Sequence, residues 1–193
     1  MTHKELQGLR LWTLCQRAAL ALYDTRAPSP NYAGAVARLL FGTAAQESGL
    51  MWERQRTPRF LSDVGGFSKW QLETGSIGDS IRLCGRKREL CRRASEFLFN
   101  DPNAPPDAVL QIPLPVWLWG LRMDDNDVPG VLFARLHYLR VPAAVPEDLA
   151  GQADYWKAHY NTARGAGTAA QYLASWRRYC APVLDLYHTA MID

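Results

Sequence analysis

The sequence predicts a mainly α-helical protein built as a single domain, and three observations carry that reading. Apolar side chains recur at spacings of three and four through most of the 193 residues. No alternating apolar–polar run is long enough for a central strand. The composition, 48% hydrophobic and 21% charged, is that of an ordinary globular chain long enough to bury a core.

The first helix is expected over 4–24, with Leu9, Trp12 and Leu20 among its apolar positions. The second is expected over 31–48, entered through Asn31. A small irregular or β segment is expected near 60–75, where GGFSKWQLETGS offers two glycines for a tight backbone approach. Helical stretches follow at about 76–99 and 128–140, and Pro129 suits a first helical turn, where its missing N–H costs nothing. The chain closes with helices over 148–161 and 168–190, divided by the glycines of ARGAGT. The stretch DPNAPPDAVLQIPLP at 101–115 carries five prolines and is expected to wrap the surface as an extended loop. Neither side of it holds a complete set of motifs, so it does not divide the chain into two domains.

Several classes of function are set aside by composition. The net charge of +3 helps association with an anionic wall or nucleic acid but demands neither. Most of the excess sits in GRKRELCRR at 85–93, which reads as a solvated helix face, and nucleic-acid binding there would rest on charge alone. Cys15, Cys84, Cys91 and Cys180 lack metal-ligand spacing. Cys84 and Cys91, seven apart, would share one face of a helix as small buried hydrophobes, although an even count leaves disulfides open. Charges thread the N-terminal MTHKELQGLRLWTLCQR, so no signal peptide is expected there. No run of 18 apolar residues exists, so no membrane span is expected.

Three short stretches carry candidate chemistry. In TAAQESGLMWERQ, Glu47 follows Val36 and Leu40 by intervals that keep all three on one helical stripe. An acid on the apolar stripe is held protonated by burial, as a general acid requires. The plain alternative is a helix-terminal Glu turned to solvent, although a helix C-terminus repels an anion. In GGFSKWQLETGS, an extended 70–73 would put Gln71 and Glu73 on one side and Trp70 and Leu72 on the other. An amide and a carboxylate on one face suit the hydroxyls and N-acetyl groups of a sugar. In HYNTARGAGT, Tyr160 and Asn161 end a helix before a glycine-rich turn, where packing and capping are the plain roles.

Together and in this order, the three stretches resemble the lysozyme-like soluble lytic transglycosylases, particularly small phage-encoded ones. The family's helix ending in Glu-Ser is matched by Glu47-Ser48, its Gly-Leu-Met-Gln motif by GFSKWQLE with Gln71 at the Gln, and its Tyr-Asn-Ala-Gly motif by Tyr160-Asn161. The matched order spans about 47–168. Departures fall at Ser68-Lys69, where the family has Gly and an apolar residue, and at Thr162-Ala163, where it has Ala-Gly.

The resemblance implies a lysozyme-like domain acting on peptidoglycan. Glu47 would protonate the glycosidic oxygen between N-acetylmuramic acid and N-acetylglucosamine. It would then act as base while the muramic C6 hydroxyl closes on the anomeric carbon, giving a 1,6-anhydro product without metal or cofactor. Ser48 and Gln71 would orient the acid and the sugar, Tyr160 would line the cleft beside Glu47, and Glu73 and Asn161 would complete the substrate-binding set. Trp52 and Trp70 are candidates to stack on sugar faces, although most of the seven tryptophans are expected in the core. A hydrolytic route needs a second carboxylate, for which Asp63 and Glu73 are the candidates. A phage virion, or the host cytoplasm before release, would be the protein's location, with other virion proteins as partners. The alternative from a different class is a virion structural or internal protein that retains the scaffold with weak or no catalysis.

Overall fold

The computed structural model describes residues 1–23, 29–51, 66–111, 123, 126–162 and 165–190. Among them the chain is mainly helical, and the one β feature is an isolated antiparallel bridge between Phe67 and Leu72.

Helix α1, His3–Ala21, starts at a reciprocal cap: the Thr2 hydroxyl accepts from the Glu5 N–H (3.2 Å), and the Glu5 carboxylate accepts from the Thr2 N–H (2.6 Å). Its buried stripe runs through Leu11, Trp12, Cys15, Ala18 and Ala19. Leu20, expected among the apolar positions, is instead 66% exposed, because Ala19 takes the inward position beside it.

Helix α2, Tyr32–Ser48, is buried on nearly every side, as a helix at the centre of a helical protein must be. It packs against α1 and against the helices that follow in the second half of the chain. Its small residues permit this: a Cβ on Gly42 would meet the Tyr172 hydroxyl at 2.1 Å. Gly49, in the left-handed region at φ 61°, ends the helix one residue after Ser48.

The stretch expected as one helix over 76–99 is two: α3, Thr74–Arg86, and α4, Arg88–Phe99. Lys87 breaks them, with an extended backbone at φ −130° and ψ 88°. Cys84 and Cys91 are both buried as expected, but on different helices, so the shared helical face is corrected. Arg92 is neutralised by Glu89 and Glu96 on its own helix, and Arg93 approaches Glu89, while Arg86, Lys87 and Arg88 face solvent.

Of the proline-rich stretch, 112–115 lie outside the described residues, and 101–111 are not wholly extended. Ala108–Gln111 forms a helical turn, α5, with Ala108 and Val109 buried; Asp107 starts it by accepting from the Gln111 side chain at 2.8 Å.

Helix α6, Asp127–Leu139, is capped by the Asn126 side chain, which accepts from the Val128 N–H at 2.9 Å. Pro129 lies in its first turn, as its sequence position predicts. Buried Arg135 ties α6 to the end of α1 by donating from Nε to the Leu22 carbonyl at 3.1 Å.

Helix α7, Leu149–Trp156, widens into a π-helical turn over Lys157–Asn161. Helix α8, Ala169–Ser175, starts at a second reciprocal cap between Thr168 and Gln171, widens again over Trp176–Cys180, and leads into α9, Ala181–Ala190. All these elements contribute to a single hydrophobic cluster that runs from Leu11 to Val183. No helix among the described residues is long and apolar enough to cross a membrane.

Candidate active site

The last turn of α2, the Phe67–Leu72 turn, the start of α3, α6 and the π-helical end of α7 surround a cleft of about 720 Å³. Glu47 lines it, mostly buried, at the end of the apolar stripe that begins with buried Val36 and Leu40. Trp156 Nε1 donates to Glu47 Oε1 at 3.0 Å. Burial dominates over this bond and pushes the carboxyl from its ordinary 4.5 up to about 7. A carboxyl in this state holds a proton near neutrality and is placed where it could pass it to a group bound in the cleft.

Gln71, Glu73, Tyr160 and Asn161 line the same cleft, so the structure gathers Glu47 with four of its five expected partners. Ser48 is the exception. It is 5% exposed, its hydroxyl donates back to the Ala44 carbonyl at 2.8 Å, and it does not line the cleft. The hydroxyl bonds its own helix, as serines in helices do, and a sugar-orienting role for Ser48 is corrected.

Gln71 arrives by a different route from the one expected. Residues 68–71 are not extended but form a tight turn, closed by Phe67 N–H to Leu72 O (3.0 Å), Leu72 N–H to Phe67 O (2.9 Å) and Gln71 N–H to Ser68 O (3.1 Å). Ser68 and Gln71 both sit at positive φ, 62° and 49°. The Gln71 amide donates to the Ser68 carbonyl at 2.8 Å, and its buried Oε1 has no hydrogen-bond partner. Lys69, 2% exposed, pairs with Asp127 at 2.7 Å and fixes the turn to the start of α6. Trp70 is fully buried and donates from Nε1 to the Leu40 carbonyl at 2.8 Å, so it cannot stack on a ligand. Trp52 and Asp63 lie outside the described residues.

On the facing wall, the Tyr160 hydroxyl donates to the Trp70 carbonyl at 2.6 Å, and its ring lies 4.8 Å from that of His137. Burial, and then the Glu47 charge, push the Tyr160 phenol well above its ordinary range. The Lys157 ammonium donates to Asn161 Oδ1 (2.8 Å), Thr162 O (2.9 Å) and Gly165 O (2.8 Å), latching the turn that carries Asn161. Gly165 and Gly167 keep this wall thin, since a Cβ there would meet the Asn161 carbonyl oxygen at 2.3 Å or the Trp156 ring at 2.6 Å.

Sequence reasoning missed Trp156, Lys157, His137 and Ser76. Trp156 stands four residues before Tyr160, one helical turn away, and that spacing was the available signal. Among the described residues, no cluster of three or more His, Cys, Asp or Glu side chains could hold a metal ion.

Comparison with known proteins returns no matching family model, no matching curated protein and no matching solved structure.

Proposed function

We propose that the protein cleaves the glycan strand of peptidoglycan at the bond between N-acetylmuramic acid and N-acetylglucosamine, with Glu47 as acid and then as base. One observation carries the reading: a mostly buried carboxyl, raised to about 7, opens into a cleft of about 720 Å³ lined by amide and carboxylate groups. The resemblance to lysozyme-like lytic transglycosylases supports the same assignment from the order of motifs. The positive φ of Ser68 supports it too, since that family carries glycine there, the residue that backbone favours. By the same resemblance, the protein is a phage muralytic enzyme that acts on the host wall.

In this mechanism Glu47 gives its proton to the glycosidic oxygen as the bond breaks. The carboxylate left behind then takes the proton of the muramic C6 hydroxyl as that oxygen closes on the anomeric carbon. Trp156 N–H steadies the anion between the two steps. Gln71, Glu73 and Asn161 line the cleft beside Glu47 and supply amide and carboxylate groups for the sugar's hydroxyls and N-acetyl group. The product is a 1,6-anhydro-muramic end.

A hydrolytic route is the second reading, favoured by one observation: Glu73, an exposed carboxylate, lines the same cleft as Glu47 and can serve as base for a water. Mass spectrometry of digested peptidoglycan separates the two, because the anhydro end is lighter than a reducing end by one water. Glu47→Gln should lower cleavage on a zymogram by at least ~10²–10⁴ while the fold remains. Equal clearing by the wild type and this variant rules out the catalytic role of Glu47.

A further inference from the structure

Ser76 and His137 also line the cleft, and glycan cleavage by Glu47 makes no use of them. Ser76 Oγ lies 2.6 Å from His137 Nδ1. The other ring nitrogen, Nε2, lies 2.9 Å from the carbonyl oxygen of His159. A carbonyl only accepts, so Nε2 carries the ring proton and Nδ1 holds the lone pair that faces the Ser76 hydroxyl. A hydroxyl bonded to a base, with that base oriented by a third group, is the arrangement of an activated nucleophile. Burial holds the His137 imidazole below its ordinary value and so in its neutral, basic form. Ser76 also belongs to the first turn of α3. The amides of Thr74, Gly75 and Ser76 precede the first intrahelical bond, from Ile77 N–H to Glu73 O at 3.1 Å, and the Glu73 side chain does not cap them. Such amides suit an oxyanion.

We propose that Ser76 and His137 form a serine esterase centre that removes short acyl groups from sugar hydroxyls bound in this cleft. The sugar as substrate rests on the glycan reading above, whereas the ester chemistry rests on the pair itself. Ser76 Oγ attacks the ester carbonyl as its proton passes to His137 Nδ1. The sugar oxygen then leaves with that proton, and the acyl group stays on Ser76. Water attacks the acyl-serine, losing a proton to Nδ1. The carboxylic acid departs as Ser76 recovers its proton. An acyl group on the muramic C6 oxygen blocks the ring closure that Glu47 assists, so removing it prepares the strand for cleavage.

Three probes test the proposal on the full chain: a fluorophosphonate, 4-nitrophenyl acetate and O-acetylated peptidoglycan. The expected results are a fluorophosphonate adduct mapped to Ser76, hydrolysis of the nitrophenyl ester, and acetate release from the glycan. Ser76→Ala and His137→Gln should each lose at least ~10² of ester turnover. Glu47→Gln should lose glycan cleavage and keep hydrolysis of the nitrophenyl ester. No adduct on Ser76 in the folded wild type overturns the centre, and needs no variant to fold. Ester cleavage lost in Glu47→Gln as well overturns it by assigning the chemistry to Glu47. Nitrophenyl ester hydrolysis without acetate release from the glycan overturns the sugar-ester assignment.

Discussion

Trp156 acts on Glu47 in two opposite directions. Its fully buried ring belongs to the wall that excludes water from the carboxyl, which favours the neutral acid. Its N–H, 3.0 Å from Oε1, favours the anion. Burial wins, but the bond limits how far the acid is raised. Trp156→Phe keeps most of the ring and removes the N–H, so the Glu47 pKa should rise further above about 7. The high-pH limb of the proposed glycan cleavage should move up with it, because a general acid fails only once it has lost its proton. Carboxyl-carbon NMR titration reads the shift whether or not cleavage is fast, and a fall in pKa would show that the N–H does not favour the anion. The same pair marks what the sequence could tell at this scale. Glu47 was legible because Val36 and Leu40 predict its face of the helix. Trp156 was not, because its bond to Glu47 joins residues 109 positions apart.

Elements were legible where a local rule decides them and opaque where neighbours do. Pro129 and the apolar stripe of α2 are local signals, and both ends of the reading meet there. The break at Lys87 carries only a weak local signal, Gly85 two residues before it, because Lys and Arg are good helix formers and a single glycine is tolerated inside a helix. The turn at 68–71 depends on Lys69 reaching Asp127, an ion pair across 58 residues. Thr162 shows the cost of one such local shape. Its backbone, at φ 64° and ψ 170°, lies in a region kept almost wholly for glycine, and a β-branched residue is poorly suited to it. Lys157 holds it there by donating to its carbonyl at 2.9 Å. Thr162→Gly should therefore stabilise the protein by about 1 kcal/mol, the relieved strain exceeding the added freedom of the unfolded chain. Chemical denaturation measures it; a destabilised variant would mean that the Thr162 side chain contributes more than its backbone loses.

The described residues share one core cluster, so a group buried beside it makes its protonation felt in global stability. Besides Tyr160, which titrates only in the alkaline range, two such groups line the cleft and act with opposite signs. His137 is held below its ordinary 6.5, so the unfolded chain binds the proton first and stability falls as pH drops below about that value. Glu47 is held up at about 7 against an ordinary 4.5. Below 4.5 the acid is protonated in both states and contributes no difference. Between 4.5 and about 7 the unfolded chain ionises while the folded one does not, and stability is lost as pH rises; above about 7 the loss is complete and constant. Glu47→Gln removes this titration and leaves His137 in place, so His137 cancels when variant and wild type are compared. The difference in unfolding free energy should be flat below pH 4.5, climb in favour of the variant up to about pH 7, and level off at on the order of 3 kcal/mol. Urea denaturation of both proteins across that range measures it without any substrate. A difference that stays flat throughout would mean that Glu47 ionises alike in both states, and the proton required for the proposed glycan cleavage would then be absent at neutral pH.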